Sequence, residues 1–161
     1  MAIPLRKSRR GFSLIELVIV VVIIGIIAAI AIPKMSRGAS GASEAALAAD
    51  LQILRNALEM YQAEHNGQYP DANQVNSQLM GLTTSDGTVL SSNPGNGIIT
   101  YGPYLKSIPS LPVGSTTRLT VLGPPGGTGV GWVYAVDAAG NGTVRANATG
   151  NDTSGTPYID Y

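Results

Sequence analysis

The sequence has no cysteine, which excludes disulfide cross-links and thiolate metal sites from whatever fold it adopts. Its one histidine, His65, closes a helical pattern, where a ring of either charge is unremarkable. No catalytic constellation is legible around it, and the chain does not read as an enzyme. Charge is scarce: Asp, Glu, Lys and Arg together make up 12% of the 161 residues. The formal net charge of zero hides two unlike segments. Residues 1–11 hold Arg6, Lys7, Arg9 and Arg10 and no acid, which leaves six basic against ten acidic side chains, net −4, in the remainder. A mildly acidic body with no Lys/Arg cluster argues against nucleic acid as a partner. The glycine-rich stretch from Gly123 to Gly131 contains no lysine and opens no helix, so it reads as a surface loop and not as a phosphate cradle. Asn141-Gly-Thr, Asn147-Ala-Thr and Asn151-Asp-Thr fit the glycosylation acceptor pattern, which turn-rich sequence also produces by chance.

What the chain does have is one long apolar run. Phe12–Ile32 is interrupted only by Ser13 and Glu16 among strongly polar side chains. As a helix it would span ~31 Å, about the hydrocarbon thickness of a bilayer. Basic residues flank its N-terminal side alone, which directs that end to the cytoplasm and the body of the chain across the membrane. Three readings compete. A secretory signal peptide would be cut near Ala29-Ile30-Ala31, and a plain signal anchor would keep its leader. The third begins from Glu16. A carboxylate in an apolar segment is disfavoured by about several kcal/mol unless it is neutralised or paired, so its presence is a functional signal. As a first-turn acid it also gains about 0.3–1 kcal/mol from the helix dipole.

Past the run, Ala42 to His65 has helical periodicity. Leu47, Leu51, Leu54, Leu58 and Tyr61 recur at spacings of four and three, with Asp50, Arg55, Glu59 and Gln62 off that stripe. Asn66-Gly67 tolerates positive φ, and Pro70 blocks continuation. A helix running on from Phe12 would be about 54 residues long, ~80 Å. Residues 68–161 show no second long helical period. Arg118–Leu122, Gly131–Val136 and Thr143–Ala146 read as strands, the last two joined across Asn141-Gly142 as an antiparallel hairpin. Trp132, Tyr134 and Val136 alternate toward the helix stripe, and Leu119 and Val121 supply a neighbouring strand. The expected fold is therefore α+β: a long N-terminal helix, membrane-spanning in its first half, packed on a small C-terminal antiparallel sheet. The segments are a basic leader at 1–11, a membrane-spanning helix at 12–33, its amphipathic continuation at 34–66, and an extracytoplasmic loop-and-sheet region at 67–161.

Arg9-Arg10-Gly11-Phe12-Ser13-Leu14-Ile15-Glu16-Leu17 closely resembles the processing site of type IV pilin-like precursors. The resemblance implies that a prepilin peptidase cuts after Gly11 and methylates the new amine of Phe12. It also implies that Phe12 and Glu16 pair between identical subunits as a filament grows. Glycine next to the scissile bond leaves the backbone unobstructed. Gly25 and Pro33 match family positions that bracket a stretch thought to unwind in filaments, and a kink or melt there suits proline. Asp50–Tyr61, Asn66–Pro70 and Gly102–Pro109 are similar to major pseudopilins of type II secretion systems. Their partners would include other pseudopilins and an inner-membrane assembly platform. Type IVa pilins usually close their C-terminal region with a disulfide, which this chain cannot form. Major pseudopilins commonly bind calcium near an Asp-Pro, where this chain has Ser110-Leu-Pro112; Asp137, Asp152 and Asp160 are scattered, so no cofactor is expected, with calcium as the one alternative and no ligands assigned to it. The alternatives are a pilin of a type IV pilus for adhesion, motility or DNA uptake, and a membrane-anchored monomeric binding protein.

Overall fold

The computed structural model describes residues 11–92, 95 and 97–161, without the side chains of Pro33, Ser36 and Arg37. The expected basic leader lies, apart from Gly11, outside the described residues.

The first element, α1, is a 51-residue helix, Leu14–Glu64. It begins two residues later than the expected Phe12. Contacts divide the chain into a unit ending at Ala39 and a second unit, Ser40–Tyr161, and α1 contributes to both. In the first unit, Leu14–Ile32 is a 19-residue stretch long and apolar enough to cross a membrane, and none of it is buried within the chain. Its Leu, Ile and Val side chains stand exposed. A helix satisfies every backbone hydrogen bond within the segment, which is what apolar surroundings demand.

The Ser40–Tyr161 unit buries the predicted stripe. Leu47, Leu51, Leu54, Leu58 and Tyr61 are each at most 2% exposed and share one core with Trp132, Tyr134, Val144 and Ala146. α1 then stops as its sequence requires. Asn66 and Gly67 take φ of 54° and 80°, and the Gly67 N–H returns to the Gln62 carbonyl at 2.9 Å, the six-to-one bond of a Schellman ending.

A short helix, α2 (Val75–Met80), follows. The strands are β1 (Leu82–Thr83), β2 (Val89–Leu90), β3 (Leu122–Gly123), β4 (Trp132–Val136) and β5 (Gly142–Ala146). β1 and β2 pair antiparallel in a small sheet of their own, and the second sheet has the order β3-β4-β5. The expected hairpin is present: β4 and β5 are antiparallel, with Trp132 opposite Ala146 and Val136 opposite Gly142. A 3-10 turn, Tyr158–Asp160, closes the described chain. The α+β class is as expected.

Two details differ from the sequence reading. Arg118–Leu122 is not a strand, because Arg118 sits at φ 72° and only Leu122 enters β3. Its burial is also displaced: Leu122 is 1% exposed and Val121 44%, since the Arg118 turn shifts which face each residue presents. The sheet is mixed where it was expected to be antiparallel. β3 runs parallel to β4 because the loop from Pro124 to Gly131 carries the chain back to the start of the sheet. α2 and the β1–β2 pair are too short to produce a period and were not foreseen.

Buried polar atoms are matched, and none of those described lacks a partner. Trp132 Nε1–H donates to the Pro109 carbonyl and the Tyr134 hydroxyl to the Pro70 carbonyl, both at 2.8 Å. Asn76 imitates a strand edge, donating to the Leu122 carbonyl at 2.7 Å and accepting from the Leu122 amide at 3.0 Å. These bonds anchor the ends of β3 and β4 on α2 and the loops, where an all-apolar core would leave amides unsatisfied.

Candidate functional site: the head of the first helix

Gly11, Phe12 and Ser13 precede α1, are not helical and are exposed. Phe12 is 86% exposed, and no atom lies within 4 Å of the place a Cβ would occupy on Gly11. The Gly11–Phe12 peptide thus lies outside the helix and is unobstructed, as a protease needs.

Ser13 caps the helix. The Leu17 amide donates to the Ser13 carbonyl at 3.2 Å, and the Ser13 amide donates to Glu16 Oε2 at 2.8 Å. The second bond is one half of a capping box, in which the carboxylate on the third helical residue turns back to the amide that opens the helix. It satisfies one of the four donors that a helix start leaves over. Glu16, read from sequence as an acid awaiting a partner, already has one in its own chain. The pattern Ser13-x-x-Glu16 is a legible capping signal, and it explains why α1 begins at Leu14. In the uncut chain the Phe12 nitrogen is an amide, so no ammonium exists there to compete for Glu16.

Gly25 and Pro33, expected as helix breaks, both lie inside α1. Space around Gly25 is open. Within one chain, a lone proline removes a single hydrogen bond, too little to end a helix of this length. The expected unwinding concerned the assembled filament, where neighbours change the surroundings.

Far along the sequence, three carboxylates each organise their own turn. Asp137 accepts from the Ala139 and Asn141 amides at 2.8 and 2.9 Å and from Asn141 Nδ2 at 3.0 Å. Asp152 accepts from the Ser154 and Thr156 amides at 2.8 and 2.7 Å and from the Tyr161 hydroxyl at 2.6 Å. Asp86 accepts from the Thr84 hydroxyl and, at 3.2 Å, from the Thr88 amide. These hydrogen bonds hold all three carboxyls below the usual aspartate value: led by Thr84 for Asp86, Asn141 for Asp137 and Tyr161 for Asp152. The same bond pushes the Tyr161 hydroxyl up to about 12. Asp137, Asp152 and Asp160 are not drawn together, and among the described residues no three His, Asp or Glu side chains gather where a metal could sit.

The C-terminal loop is tied directly to α1. Glu44 accepts from the Thr153 amide at 2.9 Å and from its hydroxyl at 2.8 Å, and Arg55 Nη2 donates to the Tyr161 main-chain oxygen at 2.7 Å. His65 is structural but more embedded than its position in the sequence suggests. It is 2% exposed and stacks on Tyr61 at 3.7 Å. Its Nδ1 lies 2.8 Å from the Tyr61 carbonyl and its Nε2 2.9 Å from Thr83 Oγ1. A carbonyl only accepts, so Nδ1 carries the hydrogen.

Residues 6–32 match the family described as the prokaryotic N-terminal methylation motif. The match takes in Gly11, Phe12 and Glu16 together with the exposed apolar stretch, and supports the resemblance to type IV pilin-like precursors. No curated protein and no solved structure matches the chain.

Proposed function

We propose that the chain is the precursor of a structural, non-enzymatic subunit of a type IV pilin-like filament. The observation that carries this reading is the match over residues 6–32, with Gly11-Phe12 exposed immediately before a membrane-length helix whose first turn holds an acid. A membrane-embedded prepilin peptidase cuts after Gly11 and methylates the Phe12 amine. The cut removes the four basic side chains of the leader, which otherwise hold the N-terminus on the cytoplasmic face, and leaves one compact cation. Before assembly the protein is a single-pass inner-membrane protein with its C-terminal domain outside the cytoplasm. In the filament, Glu16 of one subunit takes the Phe12 ammonium of the next. Both charges are desolvated, so the pair adds register more than net stability.

The intact mass of protein isolated from membranes tests this directly. The expected species lacks residues 1–11 and carries one added methyl group. Retention of Met1, or a cut near Ala31, would falsify the proposal.

Among pilin-like machines we favour the pseudopilus of a type II secretion system, with this chain as its major subunit. The absence of cysteine and the likeness of Asp50–Tyr61, Asn66–Pro70 and Gly102–Pro109 to major pseudopilins support that assignment. Deleting the gene should block export of folded proteins while pili and twitching persist. Lost pili with intact secretion would move the subunit to a type IV pilus. The C-terminal region is held without a metal on this reading, so adding a chelator should leave the melting temperature unchanged.

A further inference from the structure

One cleft in the Ser40–Tyr161 unit belongs to neither the processing site nor the filament helix. It encloses about 580 Å³ between the end of α1, the loop leading into α2 and the β1–β2 turn. That volume lies in the range of sites for small organic groups. Its wall includes Tyr61, Tyr69, Asp71, Gln78, Asp86 and Gly87, and no lysine or arginine lines it.

The two carboxylates are brought there by construction. Gln78, 5% exposed, accepts from the Asp71 amide and donates to the Gly87 carbonyl, both at 2.8 Å. One buried amide side chain therefore fixes the two loops that carry Asp71 and Asp86. Tyr61 lines the same cleft. As a whole it is 2% exposed; its phenol oxygen makes no hydrogen bond to the described residues, and since no buried side-chain oxygen among them lacks a partner, that oxygen is open to the cleft and not sealed in the core. Burial, then Asp86, then Asp71 push its pKa up. Gly87, at φ 82°, lets the turn pass so close that a Cβ there would lie 2.7 Å from the hydroxyl.

A phenol oxygen open to the cleft, sharing its wall with two carboxylates and half-buried Tyr69, is a set of groups complementary to N–H donors bearing positive charge. A bare inorganic ion would use a fraction of this volume and would meet only two carboxylates. We propose that the cleft binds an organic cation, a guanidinium or alkylammonium group, seated between Asp71 and Asp86 against the Tyr61 hydroxyl. The group comes either from a basic side chain of another protein or from a free amine, and both present the same chemistry.

Calorimetric titration of the full-length chain in a nonionic detergent tests the site. The probes are L-argininamide, an arginine flanked by glycines in a short amidated peptide, and L-citrullinamide as the uncharged analogue. Saturable binding of at least one arginine probe is expected, with none for citrullinamide. Asp71→Asn and Asp86→Asn should each weaken it by about two- to tenfold. Tyr61→Phe should weaken it while leaving the melting temperature, followed by Trp132 fluorescence, unchanged, because the hydroxyl holds no bond in the fold. Tighter binding of the peptide assigns the cleft to a protein partner, and tighter binding of argininamide to a free amine. The proposal fails if neither arginine probe saturates, if citrullinamide binds as well, or if a folded Asp71→Asn/Asp86→Asn double variant binds undiminished.

Discussion

Between Leu14 and Ile32, α1 exposes the Leu, Ile and Val side chains it carries, whereas between Leu47 and Tyr61 the same helix buries every leucine. Both stretches are helical, so propensity does not separate them; the first is apolar all round and the second along one face. The difference is where the covering surface comes from. The later stretch is covered by its own chain, through Trp132, Tyr134 and Val144. The earlier one has no covering among the described residues, and on the proposed reading lipid or other copies supply it. A mutation in the first stretch should therefore be silent in the folding of one molecule and visible in its associations, and the reverse should hold in the second.

The largest expected effect falls on the first stretch. Glu16→Leu removes the only acid of the apolar run and makes the helix more lipid-compatible, so membrane insertion should persist. Filaments recovered by shearing and sedimentation should be lost or disordered. A normal filament yield from this variant would remove the reason for singling out the carboxylate.

Next comes a matched pair of core and exposed truncations. Leu58→Ala, at a site 2% exposed, should cost about 2–5 kcal/mol. Ile23→Ala, at a site 51% exposed, should leave the melting of the Ser40–Tyr161 unit unchanged. Trp132, the only tryptophan and fully buried, reports that unfolding in the full-length protein in detergent. Equal shifts for the two variants would erase the contrast between the stretches.

A smaller loss is expected from Gly131→Ala. The added Cβ would lie 2.4 Å from the Leu119 carbonyl oxygen, a backbone atom that cannot rotate away, so a penalty of about 1–3 kcal/mol should follow. The same change at Gly25, where space is open, should not destabilise and restores about 1 kcal/mol of helix propensity. An unperturbed Gly131→Ala melt would show that the turn before β4 is looser than its contacts indicate.

The weakest effect is on pH dependence. Asp86, Asp137 and Asp152 have folded pKa values below the ordinary 3.8. Their contribution is fully present above that value and is lost as pH falls through the lower folded values. Asp50, raised by burial, works in the opposite direction. Three groups against one should make the Ser40–Tyr161 unit melt at progressively lower temperature below about pH 4. A flat or rising acid limb would mean that the three turns keep their shape without their carboxylates charged.

The parts of this structure that were legible in the sequence are those fixed by repetition or by a single costly residue. The Leu47–Tyr61 stripe declared its face because five residues keep one period. Asn66-Gly67 marked the end of α1 because few residues accept positive φ. Glu16 announced itself by being misplaced in an apolar run. The β4–β5 hairpin followed from alternation around Asn141-Gly142. What stayed hidden depends on contacts remote in sequence. The parallel pairing of β3 with β4 needs the Pro124–Gly131 loop to reverse, and nothing in its composition fixes that direction. Arg118 at positive φ has no local signal, and it displaced the burial of Val121 and Leu122. The tie between Glu44 and Thr153 joins residues 109 positions apart. The Ser13–Glu16 cap lay in plain view but was overshadowed by the processing motif written over the same letters.

That cap changes the terms on which a subunit changes places. The Ser13 amide travels with the Glu16 carboxylate as a resident donor, a fragment of solvation carried into surroundings that offer none. On the proposed reading, cleavage would turn the Phe12 nitrogen into an ammonium, and an incoming neighbour would offer Glu16 a second donor beside the Ser13 amide already on Oε2. Joining would then add a partner to a carboxylate that already has one. A subunit that arrived out of step would still hold its glutamate on Ser13 and could withdraw without stranding a bare charge, so on that reading a misaligned encounter would be reversible.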